Sequence, residues 1–170
     1  LRAYPVFNVG MYFYDALQTH YALAATRQIT CFPITVQEIP AVYGDATLLR
    51  ELFRRLMTIG LKHFPAGNDV LDGQQELHQQ LTHDETDIQL AMHFTIAPPA
   101  EMQASIAHIL TDYEFEPTNQ IDYAPDLVIA KGYVELNNGR LHTTTDNGGY
   151  TFIITLPIYT IPEYDEFFTP

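Results

Sequence analysis

A chain of 170 residues with 46% hydrophobic content is long enough to bury one real core and short for two. Eight Lys+Arg against 21 Asp+Glu give a formal charge of −13, so a phosphate backbone would be repelled over most of the surface and nucleic acid is excluded as a partner. The single cysteine, Cys31, can form no internal disulfide, and no apolar run reaches the roughly 18 to 20 residues that span a bilayer, so a cytoplasmic domain without membrane contact is expected.

The chain opens Leu1-Arg2-Ala3, without Met and without the layout of a signal peptide, which reads as a piece of a longer protein. From Met11 to about Thr26, Phe13, Leu17, Tyr21, Ala24 and Ala25 recur mostly at spacings of three and four, predicting one helix with one apolar stripe. Ile29 to Val36 is β-branched and aromatic, but Pro33 cannot donate to a ladder, so an edge strand or a bulge is expected. Asp45 is placed to cap a second helix running to Phe64, with Leu49, Leu52, Phe53, Leu56, Ile59 and Leu61 on a broad apolar face and Pro65 and Gly67 ending it.

Residues 66–86 are polar and rich in Gly, Asn, Asp, Gln and His, and read as a connection with at most a helical turn. Asp87 to Ile96 follows as a buried strand, Met102 to Leu110 as a helix behind Pro98 and Pro99, and Leu127 to Leu136 as a helix after Pro125 and Asp126. Arg140–Thr145, the turn Asp146-Asn147-Gly148-Gly149, and Tyr150–Pro157 form a hairpin pattern. Leu52, Leu56, Leu90, Ile129, Phe152 and Ile154 are the expected core. Cys31 reads as a small core residue, and His78, His83 and Asp84 as polar loop residues without a recognised metal-ligand spacing. His63 and His93 read as packed or exposed histidines.

Three stretches resemble, in order, the ATP-binding catalytic domain of bacterial sensor histidine kinases of two-component systems. Gly44 to Lys62 is similar without a gap to "GDPxRLxQVLxNLLxNAIK". Leu127 to Leu141 resembles "LAIAKxLVELHGGRI", and Gly149 to Pro157 resembles "GxGSTFxFxLPL". Phe7-Asn8-Val9 matches the family's short opening strand. The likeness spans about residues 7–158, which implies a domain over 1–158, and an acidic, aromatic tail over 159–170 lies beyond it. The implied fold is a two-layer α/β (α+β) sandwich of the histidine-kinase ATPase type, a mixed sheet covered on one face by helices.

The resemblance also implies which residues would do chemistry, and most of them are replaced. Two family asparagines that serve Mg²⁺ on the second helix are Arg55 and Ile59 here, and neither supplies the hard oxygen that Mg²⁺ takes. Lys62 matches the family's phosphate-facing lysine and is the one nucleotide position retained. No Asp lies between Asp87 and Asp112 to anchor adenine, and Phe94-Thr95-Ile96-Ala97-Pro98-Pro99 follows the strand where "DxGxGI" is expected. Ala124-Pro125-Asp126-Leu127 stands where "GLGL" would cradle phosphate, with Asp126 read as a helix cap.

The expectation is therefore a degenerate domain with no catalytic residue, no metal and no cofactor, although the family would use ATP and Mg²⁺. It would act as a pseudo-kinase through protein contacts, with upstream dimerisation or sensor domains, a response regulator or a second copy as partners. The alternatives are an active kinase domain with an atypical nucleotide site and a dimerising or scaffolding module. The tail aromatics Tyr164, Phe167 and Phe168 are expected to pack on this domain or on a neighbouring copy.

Overall fold

The computed structural model describes residues 4–67, 73–111 and 121–160. In chain order the elements are β1 (Tyr4–Val6), α1 (Val9–Gln18), α2 (Tyr21–Thr26), β2 (Thr30–Phe32), β3 (Val42–Gly44), α3 (Ala46–His63), β4 (Glu76–His83), β5 (Asp87–Phe94), α4 (Ala100–Thr111), α5 (Ala124–Leu136), β6 (Arg140–Asp146) and β7 (Gly149–Pro157). Five strands form one mixed sheet in the order β2-β4-β5-β7-β6, with β2 parallel to β4 and every other pair antiparallel. β1 and β3 make a separate two-stranded ribbon.

Alternation along the strands decides where the helices sit. Leu77, Leu90, Met92, Phe94, Phe152, Ile154 and Leu156 are fully buried, while Gln80, Thr82, Gln89 and Thr144 between them are exposed. The apolar face of the sheet is therefore the one under the helices, and the polar face meets water. α3 supplies the largest share of the covering layer, burying Leu49, Leu52, Phe53, Leu56, Met57, Ile59 and Leu61. Its start is held by Asp45, whose carboxylate accepts the backbone N–H groups of Thr47 and Leu48 at 2.9 and 3.1 Å. Its end is held by the Arg27 guanidinium, which donates to the Lys62 carbonyl and to that of Phe64 at 2.6 Å. Leu56 lies wholly inside this layer, so Leu56→Ala is expected to lower the unfolding free energy by about 2 to 5 kcal/mol in a denaturant titration.

Several expectations change. The first helix is two, because the Thr19 hydroxyl and His20 Nδ1 both take the Ala16 carbonyl, at 3.0 and 2.7 Å, and His20 Nε2 reaches Thr58 Oγ1 of α3 at 2.9 Å. The break resets the helical phase, leaving Phe13, Leu17 and Ala24 buried while Tyr21 and Ala25 face solvent. The strand predicted over Ile29–Val36 shrinks to Thr30–Phe32 and stops at Pro33, at the sheet edge. The opening strand is Tyr4–Val6 rather than Phe7-Asn8-Val9, since Val9 already begins α1.

The largest correction is β4, which occupies part of the stretch read as a connection and sits second in the sheet. Its inward residues include Gln79, whose amide donates to the Phe13 carbonyl at 2.7 Å, so a buried polar side chain stands where an apolar one was sought. His78 and His83 belong to this strand and not to a loop. His78 stacks on Phe32 with ring centres 4.4 Å apart and meets Glu76 at 3.0 Å. α5 begins at Ala124, so Pro125 and Asp126 lie within its first turn. Ile129 is only half-buried, and Leu127, Ala130 and Val134 make the inward face of α5 instead. Cys31 is likewise half-buried, with burial pushing its thiol up to about 11. Tyr164, Phe167 and Phe168 lie outside the described residues.

Candidate functional site

The residues matched to the family's nucleotide positions come from α3, the end of β5 and the start of α5. On α3, Arg55 and Ile59 are four apart and so project from one side of the helix. Ile59 is completely buried and belongs to the hydrophobic core. Arg55 is half-buried, and its Nη1 donates to Oδ1 of Asp126 at 2.7 Å. Its Nε is buried and 3.6 Å from Glu51 Oε2, an ion pair at longer than hydrogen-bond distance. Two replaced positions 71 residues apart in sequence thus meet as one ion pair between α3 and α5. Asp126 pairs with Arg55 and does not cap the helix; the N-cap position is Tyr123.

That pair is about a third exposed on both sides, so its contribution to stability is small, within about 1 kcal/mol. What matters is charge: the guanidiniums of Arg54 and Arg55 face the two carboxylates of Glu51 and Asp126, leaving no net positive charge for an anionic ligand at this point. Lys62 is solvent-exposed one turn beyond. Ala124 is fully buried.

The stretch after β5 is tied down by protein on two sides. Gln75 is fully buried, its Nε2 donating to the Ile96 carbonyl at 2.8 Å and its Oε1 accepting the Ile96 N–H at 2.9 Å. This amide pairs with Ile96 as a neighbouring strand would. Ala97 N–H then donates to the Gly148 carbonyl of the β6–β7 turn at 2.8 Å. Gln75→Leu would leave both backbone groups of Ile96 unpaired, and is expected to cost about 1 to 3 kcal/mol, readable as a lowered urea midpoint.

Behind this stretch Phe94 is packed against α3 where Gly60 lacks a side chain; a Cβ there would overlap the Phe94 ring. Phe64, at the C-terminal end of α3, contacts Phe94, Tyr150 and Phe152 with ring centres 4.7, 5.6 and 5.7 Å away. At the other end of the helix pair, fully buried Asn137 joins α5 to α3. Its Nδ2 donates to the Tyr133 carbonyl at 2.6 Å and its Oδ1 accepts the Asp45 N–H at 2.7 Å.

Beside these residues a cleft of about 310 Å³ is lined by His63, Glu101, Met102, Ser105, Asp122 and Tyr123 among others. Burial, then the adjacent Lys62, push the His63 imidazole below its usual range, with Asp122 pulling the other way. The cleft therefore sets an imidazole biased towards its neutral form beside the Glu101 and Asp122 side chains. Among the described residues no group of three or more His, Cys, Asp or Glu is placed to hold a metal ion.

Gln75 and Arg27 were not singled out from sequence, and Asn137 was read only as part of the Asn137-Asn138-Gly139 stop after the Leu127–Leu136 helix. Gln75 and Arg27 carried no signal, because each acts on a backbone group at least 21 residues away.

Comparison with solved structures places this arrangement. The catalytic domain of histidine kinase ThkA, in a nucleotide-free form, superposes with a TM-score of 0.69 at 16% identity, covering 93% of this chain and 99% of that one. The mycobacterial sensor histidine kinase MprB gives 0.62 at 18% identity, over 94% and 99%. Full-length ShkA in complex with AMPPNP gives 0.68 at 14% identity, over 95% of this chain and 32% of that one. Among curated sequences, phytochrome A type 3 of Avena sativa is 25% identical over 130 residues, 72% of this chain. The chain spans about a tenth of the length of that relative. No protein-family model matches. The chain has the fold of histidine kinase catalytic domains, and no helix among the described residues is long and apolar enough to cross a membrane.

Proposed function

We propose that this domain is a signal-transduction module that keeps the histidine kinase catalytic fold, does not hold Mg·ATP, and acts through contacts with other proteins or with further parts of its own chain. The observation that carries this reading is the Arg55–Asp126 ion pair at 2.7 Å. A site for Mg·ATP needs oxygen ligands for the metal and uncompensated positive or N–H groups for the phosphates. At the matched positions Ile59 offers a hydrocarbon, Arg55 is already neutralised, and Asp126 adds a negative charge at the first turn of α5. The residues present do not fit the nucleotide.

The matched box after β5 supports the same reading. Its backbone is engaged by Gln75 and Gly148, and it carries no carboxylate to accept an adenine amino group. The fold and its helix–sheet packing are meanwhile fully kept, with caps at both ends of α3 and a continuous core. A domain that keeps its shape and not its ligand chemistry is suited to transmitting force or recognition by contact. Saturable binding of Mg·ATP in the micromolar range, measured by calorimetry or thermal shift, overturns this in favour of an active kinase with a rebuilt site.

A further inference from the structure

Three of the seven large hydrophobic side chains that stand exposed among the described residues, Phe7 at 69%, Met11 at 41% and Val36 at 42%, surround one groove. The groove holds about 260 Å³ between the start of α1 and the 33–41 connection, with Ile39, Gln37 and Glu38 completing its walls. Clustered exposed apolar side chains around a concavity mark a docking surface, whereas single ones do not.

The described chain ends at Thr160, just past a bridge to β3 at the end of the 33–41 connection that walls the groove. Ile158 bridges Val42 in antiparallel fashion, on the edge of β3 opposite β1, and Tyr159 N–H donates to the Ala41 carbonyl at 2.8 Å. The Tyr159 ring lies 4.7 Å from that of Tyr43, whose hydroxyl donates to the Thr160 carbonyl at 2.8 Å. Antiparallel continuation from this bridge would run back along the connection, from Ala41 towards Ile39 and Val36. Residues 161–170 are Ile-Pro-Glu-Tyr-Asp-Glu-Phe-Phe-Thr-Pro, and at roughly 3.3 Å per residue their aromatics have ample reach.

We infer that the C-terminal tail docks in this groove, with Tyr164, Phe167 and Phe168 covering Phe7, Met11 and Val36. The apolar chemistry matches. Aromatic rings meet a methionine and a phenylalanine, the contacts for which thioether sulfur and ring edges are suited. The tail also carries Glu163, Asp165 and Glu166, while α1 has no acidic residue in its first turn and its N-cap, Asn8, makes no side-chain cap bond. The positive end of the α1 dipole offsets the repulsion between these carboxylates and Glu38 of the groove wall. This inference stands independently of whether nucleotide binds.

The chain contains no tryptophan, so Phe167→Trp in the 170-residue protein gives a single reporter. The expected result is blue-shifted emission and acrylamide quenching several-fold weaker than in the same variant that also carries Phe7→Ser and Met11→Ser. Both groove residues are exposed, and an unchanged far-UV circular-dichroism spectrum of the triple variant confirms that the fold is kept while the docking surface is altered. A reporter that is fully quenched from the start overturns the inference, as does protection that survives the groove substitutions. Protection that disappears on dilution, together with a dimer in sedimentation, also overturns it, by moving the tail onto a second copy.

Discussion

Titration with Mg·ATP to millimolar concentration is expected to give no saturable heat and no rise in melting temperature. Hydrogen bonds to charged groups are worth about 1.5 to 3 kcal/mol each. On the proposed matching, the adenine carboxylate, two metal-site oxygens and the phosphate-cradling glycine are all replaced. Four losses at about 1.5 kcal/mol, imperfectly additive, move a micromolar site by roughly 6 kcal/mol, beyond millimolar. The formal charge of −13 works in the same direction, and exposed Lys62 offsets little of it. Arg55→Asn with Ile59→Asn restores two of the four contacts, so about 3 kcal/mol of the deficit remains and binding is expected to be no tighter than about 0.2 mM; the double variant also places Asn at a fully buried position and should melt lower. Micromolar binding by the double variant would show that the segment after β5 and the start of α5 can accept nucleotide as they stand.

Phe64→Ala is expected to lower stability by about 3 to 5 kcal/mol, a fall in melting temperature on the order of 10 °C for a domain of this size. Phe64 is completely buried and contacts three other rings, so its removal leaves a cavity among Phe94, Tyr150 and Phe152 that rigid aromatics cannot collapse to fill. Phe64→Leu separates the two parts of the cost. It keeps much of the buried volume and loses the ring contacts, worth about 0.5 to 1.5 kcal/mol each, so it should fall between wild type and Phe64→Ala. Equal melting temperatures for the leucine and alanine variants would show that the ring cluster, and not filled volume, carries the stability.

What could be read in the sequence was whatever the chain signals locally. α3 has its cap, its apolar spacing and its Pro–Gly stop within a single stretch of about 20 residues, and the β6–β7 hairpin carries its turn between its own strands. The ordered likeness of those same stretches to one family gave the fold. β4 was lost because period two is readable only when the inward side chains are apolar, and here Gln79 is buried on a hydrogen bond to Phe13, 66 residues away. The break between α1 and α2 was lost for a similar reason, since His20 reaches Thr58 of α3.

The candidate site shows the same division. That Arg55, Ile59, Ala124 and Asp126 stand at the positions matched by resemblance was legible, as was the lack of any Asp between Asp87 and Asp112. That Arg55 and Asp126 answer each other, that Ile59 is sealed in the core, and that Gln75 closes the backbone after β5 was decided only by the tertiary structure. Capping, periodicity and turn chemistry act between residues a few positions apart, so sequence order preserves them. An ion pair between residues 71 apart depends on how two helices pack against one sheet, and that packing is a property of the whole chain.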